Sequence, residues 1–133
     1  MERLRTPDAR FAELPGYPFS PRYAELPDGL RMHYVDEGPR GAETVLLLHG
    51  QPTWSYLYRG VVARLAALGL RAVAPDLVGF GRSDKPAART AHTVRAHVDW
   101  LAGFVHGTGL DGITLVAQDW GGPFGLGVLA DEP

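Results

Sequence analysis

The chain has 133 residues, enough for one modest domain, and its formal net charge of −2 offers no broad basic surface for nucleic acid. The absence of cysteine excludes disulfides, thiolate catalysis and cysteine-based zinc sites. No apolar run approaches the roughly 20 residues of a membrane span, and no apolar signal segment follows the charged N-terminus, so we expect a cytoplasmic protein without a membrane partner.

Residues 1–22 are predicted to form an extended arm, because prolines and Gly16 interrupt any regular element there. Tyr17 and Phe19 are its expected anchors on the rest of the chain. Residues 23–133 are expected to belong to a single core domain.

Two candidate strands, residues 23–26 and 30–37, follow the arm. The turn signal Pro27-Asp28-Gly29 separates them, so the pair predicts an antiparallel hairpin. The second strand alternates apolar and polar residues, as a half-exposed strand does. His33 lies on the polar side of that alternation, and we interpret it as a solvent-facing histidine rather than a catalytic one.

From residue 44 onward, predicted strands alternate with predicted helices. The continuous apolar run at 44–48 is typical of a strand covered on both faces. Helical spacing at 54–68, at 93–108 and after Pro123 alternates with strand-like runs at 71–75 and 113–116. This order predicts an α/β fold with a mainly parallel sheet, helices on both faces, and its chemistry at the carboxyl ends of the strands.

The stretch from Val116 to Gly122 is the most informative in the chain. It predicts a strand, a sharp turn with Asp119 at its apex, and a helix, which is the geometry of a nucleophile elbow. The elbow here carries a carboxylate instead of a serine. A carboxylate is ionised at neutral pH, so it needs no base to attack a saturated carbon and form a covalent ester.

Structural interpretations compete with each functional one. Asp119 is also a favoured helix cap, and a lone tryptophan such as Trp120 is more often a core residue. His49 is interpreted as a loop-bracing residue, and the Gly-rich loop 79–86 and the G-x-G-x-x-A stretch 125–130 are interpreted as structural. The remaining histidines are interpreted as surface or boundary residues: His92, His97 and His106.

Residues 49–59, 76–86 and 116–122 together resemble the α/β-hydrolase fold and, more narrowly, the haloalkane dehalogenases. The resemblance implies that Asp119 is the nucleophile, that Trp120 stabilises the halide, and that the backbone N–H groups of Gln51 and Trp120 form the oxyanion hole. It implies hydrolytic dehalogenation of a small halogenated aliphatic substrate by water, with an alcohol and a halide ion as products. No metal or organic cofactor is implied.

The resemblance also implies that parts of the site lie beyond this chain. The fold orders its triad as nucleophile, acid and histidine, yet all five histidines precede Asp119 and only 14 residues follow it. We therefore expect an N-terminal part of the fold, without cap domain, acid or catalytic histidine, that is inactive alone and leaves a sheet edge open. An epoxide hydrolase of the same fold and a non-catalytic, truncated hydrolase-like interaction protein are the alternatives, with a Rossmann dehydrogenase a distant third.

Overall fold

A five-stranded mixed sheet forms the centre of the computed structural model, which describes residues 1–131. In chain order the strands and α-helices are β1 (Arg3–Leu4), β2 (Arg22–Glu25), β3 (Arg31–Glu37), β4 (Thr44–Leu48), α1 (Arg59–Ala67), β5 (Arg71–Pro75), β6 (Lys85–Pro86), α2 (Val94–Thr108), β7 (Thr114–Ala117) and α3 (Gly121–Asp131). Short 3-10 helices span Asp8–Phe11, Ser55–Tyr58 and Arg89–Ala91. No helix within residues 1–131 combines the length and the apolar character that a membrane crossing needs.

The sheet has the strand order β2-β3-β5-β4-β7. β2 and β3 pair antiparallel, with Tyr23 opposite His33, which confirms the predicted hairpin. β3 also joins β5 antiparallel, whereas β4 pairs in parallel with both β5 and β7. The carboxyl ends of β4, β5 and β7 therefore lie at the same edge of the sheet, where the predicted order places the chemistry.

The two faces of β4 pack against different helices, because successive side chains of a strand point to opposite faces. Leu47 belongs to the apolar cluster that contains Val62 of α1. Leu48 belongs to the cluster that contains Phe104 of α2. All residues of β4 are buried, which confirms the prediction of a strand covered on both faces.

The first helix is shorter than its sequence pattern predicts. The spacing at 54–68 predicts one amphipathic helix, but the chain first forms the 3-10 helix Ser55–Tyr58, and α1 begins at Arg59. Because a 3-10 helix has about three residues per turn, the period of 3.6 residues does not hold across this junction. Part of the predicted apolar stripe is consequently exposed, by 45%, 45% and 64% at Leu57, Val61 and Leu68.

The N-terminal arm contacts the core through Tyr17 and Arg5. The Tyr17 ring is buried, and its hydroxyl lies 2.6 Å from the Ser55 hydroxyl. Burial, the largest effect, raises the pKa of the Tyr17 hydroxyl. Arg5 forms an ion pair with the buried carboxylate of Asp84. These contacts tie the arm to the loops after β4 and β5, while the division of the chain at residue 23 stays a prediction.

β7 lies at the edge of the sheet. It pairs with β4 on one side, and within residues 1–131 no strand pairs with its other side. Its Val116 side chain is 41% exposed. An unpaired edge presents backbone donors and acceptors to another strand, so this part of the structure has the open edge that the sequence predicts.

Candidate active site

Asp119 stands at the apex of a sharp turn between β7 and α3. Its φ of 54° lies in the left-handed region, which residues other than glycine rarely adopt. The turn is closed by the Gly121 N–H, which donates to the Gln118 carbonyl at 3.0 Å. An N-cap residue typically has extended backbone, so the positive φ of Asp119 does not fit the helix-cap alternative.

Two glycines allow the elbow to approach the loop after β4. A Cβ atom at Gly121 would lie 2.6 Å from the His49 carbonyl oxygen, and one at Gly50 would lie 2.3 Å from the Asp119 Cβ. No side chain fits at such distances, so glycine is required at both positions. The close approach brings the two loops that carry the predicted site residues into contact.

The Asp119 carboxylate accepts a hydrogen bond from a backbone N–H group. The Gln51 N–H donates to Oδ2 at 2.9 Å. The Gln51 N–H, and then the neighbouring Trp120 N–H, lower the pKa of Asp119 below its ordinary value, so the group is ionised at neutral pH. The structure thus brings Asp119, Gln51 and Trp120 together, while their catalytic roles stay predictions.

A cavity of about 260 Å³ opens beside the elbow. Its lining residues come from the loop after β4, the loop after β5, the start of α2 and the start of α3: Gly50, Gln51, Leu77, Phe80, His92, Thr93, Val94, His97, Trp120 and Phe124. Trp120 is 46% exposed here, so it is not a core residue in the part of the chain that the structure describes. Asp119 itself does not line the cavity, but it is exposed and adjoins two lining residues, Gln51 and Trp120.

His49 braces the loops below this cavity, as the sequence predicts. Its buried ring accepts the Leu77 N–H at Nε2 (2.9 Å) and contacts the Gly50 carbonyl oxygen through Nδ1 (2.8 Å). Since an N–H donor faces Nε2, the proton lies on Nδ1. Burial, the largest effect, lowers the pKa of His49, so the ring stays neutral at neutral pH.

The prediction that His33 faces solvent is wrong. The side chain is 1% exposed, and its Nδ1 donates to Asp76 Oδ2 at 2.8 Å. The loop after β5 folds over this face of the hairpin: its Ser83 hydroxyl accepts the His33 N–H at 2.8 Å. The alternation of apolar and polar residues in β3 could not reveal that this loop buries His33, because Ser83 lies 50 positions further along the sequence.

Asp76 is a buried structural carboxylate at the end of β5. It accepts the Ser55 N–H at 2.8 Å and the Arg82 N–H at 2.9 Å in addition to the His33 ring. Burial opposes its charge, but these hydrogen bonds outweigh that effect and lower the pKa of Asp76. The carboxylate therefore joins β3 to the loops after β4 and β5, and so holds the framework under the elbow.

The glycine-rich stretches serve packing, as the sequence analysis favoured. A Cβ atom at Gly81 would lie 2.4 Å from Asp76 Oδ2, so this loop closes tightly on the buried carboxylate. A Cβ atom at Gly125 would meet Leu115 at 2.9 Å, and one at Gly127 would meet Val98 at 2.7 Å. The two glycines therefore let α3 approach both the sheet and α2. This packing explains the G-x-G pattern without a dinucleotide-binding role.

Local sequence patterns did not predict that residues at the starts of α2 and α3 line the cavity. His97, predicted at the surface or boundary, is 8% exposed, and its ring stacks on Phe124 with centroids 4.6 Å apart. The position of His97 in an amphipathic helix did not predict this stacking, because Phe124 lies on another helix. Within residues 1–131, no group of three or more histidine or acidic side chains is placed to hold a metal ion.

Comparison with known proteins agrees with this geometry. The family described as alpha/beta hydrolase fold matches residues 43–133. A haloalkane dehalogenase of Psychrobacter cryohalolentis is 54% identical over all of this chain, which covers 45% of that protein. The solved structure of a haloalkane dehalogenase from Paraglaciecola agarilytica NO2 superposes with a TM-score of 0.93 at 45% identity, covering 98% of this chain and 45% of that one.

A more distant likeness joins the chain to an epoxide hydrolase from Vigna radiata, with a TM-score of 0.79 at 32% identity over 86% of this chain and 35% of that one. The chain spans about 45% of the length of the curated relatives it matches. By the family match over residues 43–133, the chain belongs to the alpha/beta hydrolase fold family, of which it represents the N-terminal part, and within that family it is similar to the haloalkane dehalogenases over its whole length.

Proposed function

We propose that the whole protein hydrolyses haloalkanes to an alcohol and a halide ion through a covalent ester on Asp119. The observation that carries this function is the position of one carboxylate. It stands at the apex of the elbow, accepts a hydrogen bond from the Gln51 backbone N–H, and adjoins Trp120, which lines the cavity.

The first step is a displacement at saturated carbon. An oxygen of the ionised Asp119 carboxylate attacks the carbon that bears the halogen, a C–O bond forms, and the C–halogen bond breaks with its electron pair on the departing halide. The Trp120 indole N–H, a hydrogen-bond donor only, stabilises that anion. The lowered pKa of Asp119 keeps the nucleophile ionised without a base.

The second step is hydrolysis of the ester. Water adds to the ester carbonyl carbon of Asp119, and negative charge develops on the carbonyl oxygen. The Gln51 N–H, which already binds the carboxylate, and the Trp120 N–H stabilise that charge. A base takes one proton from the water as it adds. Collapse of the intermediate then breaks the bond between the carbonyl carbon and the alkyl oxygen, which leaves as the alcohol with the second proton of the water, and the carboxylate is restored. We expect the whole protein to supply this base from the region that corresponds to the part of the relatives not matched by this chain.

The substrate class follows from the relatives. We propose a small halogenated aliphatic substrate, with water as the second substrate and halide as a product. The dehalogenase of Paraglaciecola agarilytica superposes more closely, and with higher identity, than the epoxide hydrolase of Vigna radiata. A shared elbow fold keeps epoxide hydrolysis as the second candidate. A cysteine-free sequence suits a reducing compartment, so we also propose a cytoplasmic location.

The test is a chimera that joins residues 1–133 to the remaining part of the Psychrobacter cryohalolentis relative. We expect bromide release from a bromoalkane, and no diol from styrene oxide. Asp119→Asn should abolish bromide release. Mass spectrometry during turnover should find the alkyl group on the peptide that contains Asp119.

Each outcome separates the candidates. Diol formation without bromide release would favour the epoxide hydrolase, and a folded chimera without either activity would favour the non-catalytic interaction protein. We expect the isolated chain to release at most one bromide per molecule, because no base for the second step is expected within it. Repeated turnover by the isolated chain would contradict that expectation.

A further inference from the structure

A row of aromatic rings leads from the elbow into α2. Trp120 stacks on Phe124 with centroids 5.5 Å apart and an interplanar angle of 22°. Phe124 stacks on His97 at 4.6 Å and 3°, and His97 meets Trp100 edge-on at 5.0 Å. We call these four residues the aromatic row. Only its Trp120 end is exposed, by 46%, whereas the Trp100 end is 7% exposed.

The inner end of the aromatic row is fixed. The Trp100 indole N–H donates to Asp28 Oδ2 in the hairpin turn at 2.8 Å. A hydrogen bond to a carboxylate is among the stronger ones in proteins, so this ring has one defined position. The row therefore connects an exposed ring beside Asp119 to a buried ring that is anchored on the hairpin turn.

The two helices that carry the aromatic row are held at a short distance. Gly127 of α3 leaves room for Val98 of α2, because a Cβ atom there would lie 2.7 Å from a Val98 methyl group. Arg95 of α2 forms an ion pair with Asp131 of α3 at 2.7 Å. With the helices fixed in this way, the spacing between the His97 and Phe124 rings is set by the backbone.

His97 contributes a ring face rather than a hydrogen bond at Nδ1. That nitrogen is buried and has no hydrogen-bond partner among residues 1–131. Burial, and then the neighbouring His92, lower the pKa of His97 to about 4, so the ring is neutral at neutral pH. A neutral ring lying parallel to Phe124 is an aromatic stacking partner.

We propose, on the basis of the function proposed above, that His97 is a positioning residue of the halide site: its ring face, acting through Phe124, holds the Trp120 indole where it binds the departing halide. Trp120 is nearly half exposed and stacks on Phe124. When the Phe124 ring loses its support from α2, the indole gains rotamer freedom, and the halide then has to bind a less ordered donor.

The experiment uses the chimera described above. The bromide dissociation constant is measured by quenching of tryptophan fluorescence, and kcat/KM with a bromoalkane is measured in parallel. His97→Phe keeps a ring face and should bind bromide within about twofold of the unmodified chimera. His97→Leu removes the ring face and should weaken bromide binding by roughly tenfold, with a similar loss in kcat/KM.

The control is Val62→Ala, which removes buried methyl groups in α1 and leaves the contact between α2 and α3 and the aromatic row intact. It should lower Tm by at least as much as His97→Leu and leave bromide binding within about twofold. If His97→Leu does not fold, His97→Gln supplies the variant without an aromatic ring.

Three results would overturn the positioning role. They are normal bromide binding by the variants without a ring, an equal loss in His97→Phe, which would indicate a need for the imidazole nitrogens, and an equal loss in Val62→Ala. An unmodified chimera that folds but neither binds bromide nor releases it overturns the proposed function itself, and the positioning role with it.

Discussion

The Gln51 backbone N–H and Asp119 Oδ2 are 2.9 Å apart, although 68 positions separate the two residues in the sequence. Parallel pairing of β4 with β7 produces this contact, because it places the loops after the two strands side by side. In the proposed mechanism, the donor that binds the resting carboxylate also binds the oxyanion that forms when the ester is hydrolysed. Mutations that shift either loop should therefore change the distance between the Gln51 N–H and the Asp119 carboxylate.

Gly50→Ala should damage catalysis more than stability. The added methyl group would lie 2.3 Å from the Asp119 Cβ, so the loop after β4 must shift and carry the Gln51 N–H away from the carboxylate. We expect kcat in the chimera to fall by roughly a hundredfold, the effect of losing one oxyanion donor. Gly60→Ala is the control, since a Cβ atom there meets nothing within 4 Å. It should leave bromide release unchanged.

Gly121 and Gly122 should respond oppositely to alanine, although they are adjacent in α3. A Cβ atom at Gly121 would lie 2.6 Å from the His49 carbonyl oxygen, whereas one at Gly122 meets nothing within 4 Å. Gly121→Ala should destabilise the protein by about 2–3 kcal/mol through overpacking. Gly122→Ala should be neutral or slightly stabilising, because alanine favours a helix. Urea unfolding of both variants measures the difference, and equal values would contradict the crowded elbow.

The sequence predicted the elements whose signals are local. The elbow could be predicted because its strand, apex and glycines lie within seven consecutive residues, 116–122. The hairpin and the buried strand β4 also follow from short patterns. His33 and His97 could not be placed, because each is buried by a segment distant in the sequence: the loop after β5 covers His33, and Phe124 covers His97.

The His33–Asp76 pair should be energetically coupled. Asp76 is fully buried, and removal of the His33 ring would leave its Oδ2 without one of two donors. We expect His33→Ala to destabilise the protein by about 2–4 kcal/mol, because the remaining charge is buried and partly unpaired. In an Asp76→Asn background the same change should matter less. A double-mutant cycle by urea unfolding checks this, and additive effects would contradict a direct interaction.

The stability of the protein should fall between about pH 6.5 and pH 4, because the pKa of His97 is lowered from 6.5 to about 4 by burial, the larger effect, and by His92. The unfolded chain takes up a proton at His97 as pH falls through 6.5, whereas the folded chain does so only near pH 4, so acid favours unfolding across this window. The pKa of His49 is lowered as well, and it adds to the same trend. His97→Phe, which cannot titrate, should reduce the loss by about 2 kcal/mol. Urea unfolding at pH 7 and at pH 4.5 gives both losses. If the variant and the unmodified protein lose equal stability, the folded protein protonates His97 as readily as the unfolded chain, and its ring is not held neutral against Phe124.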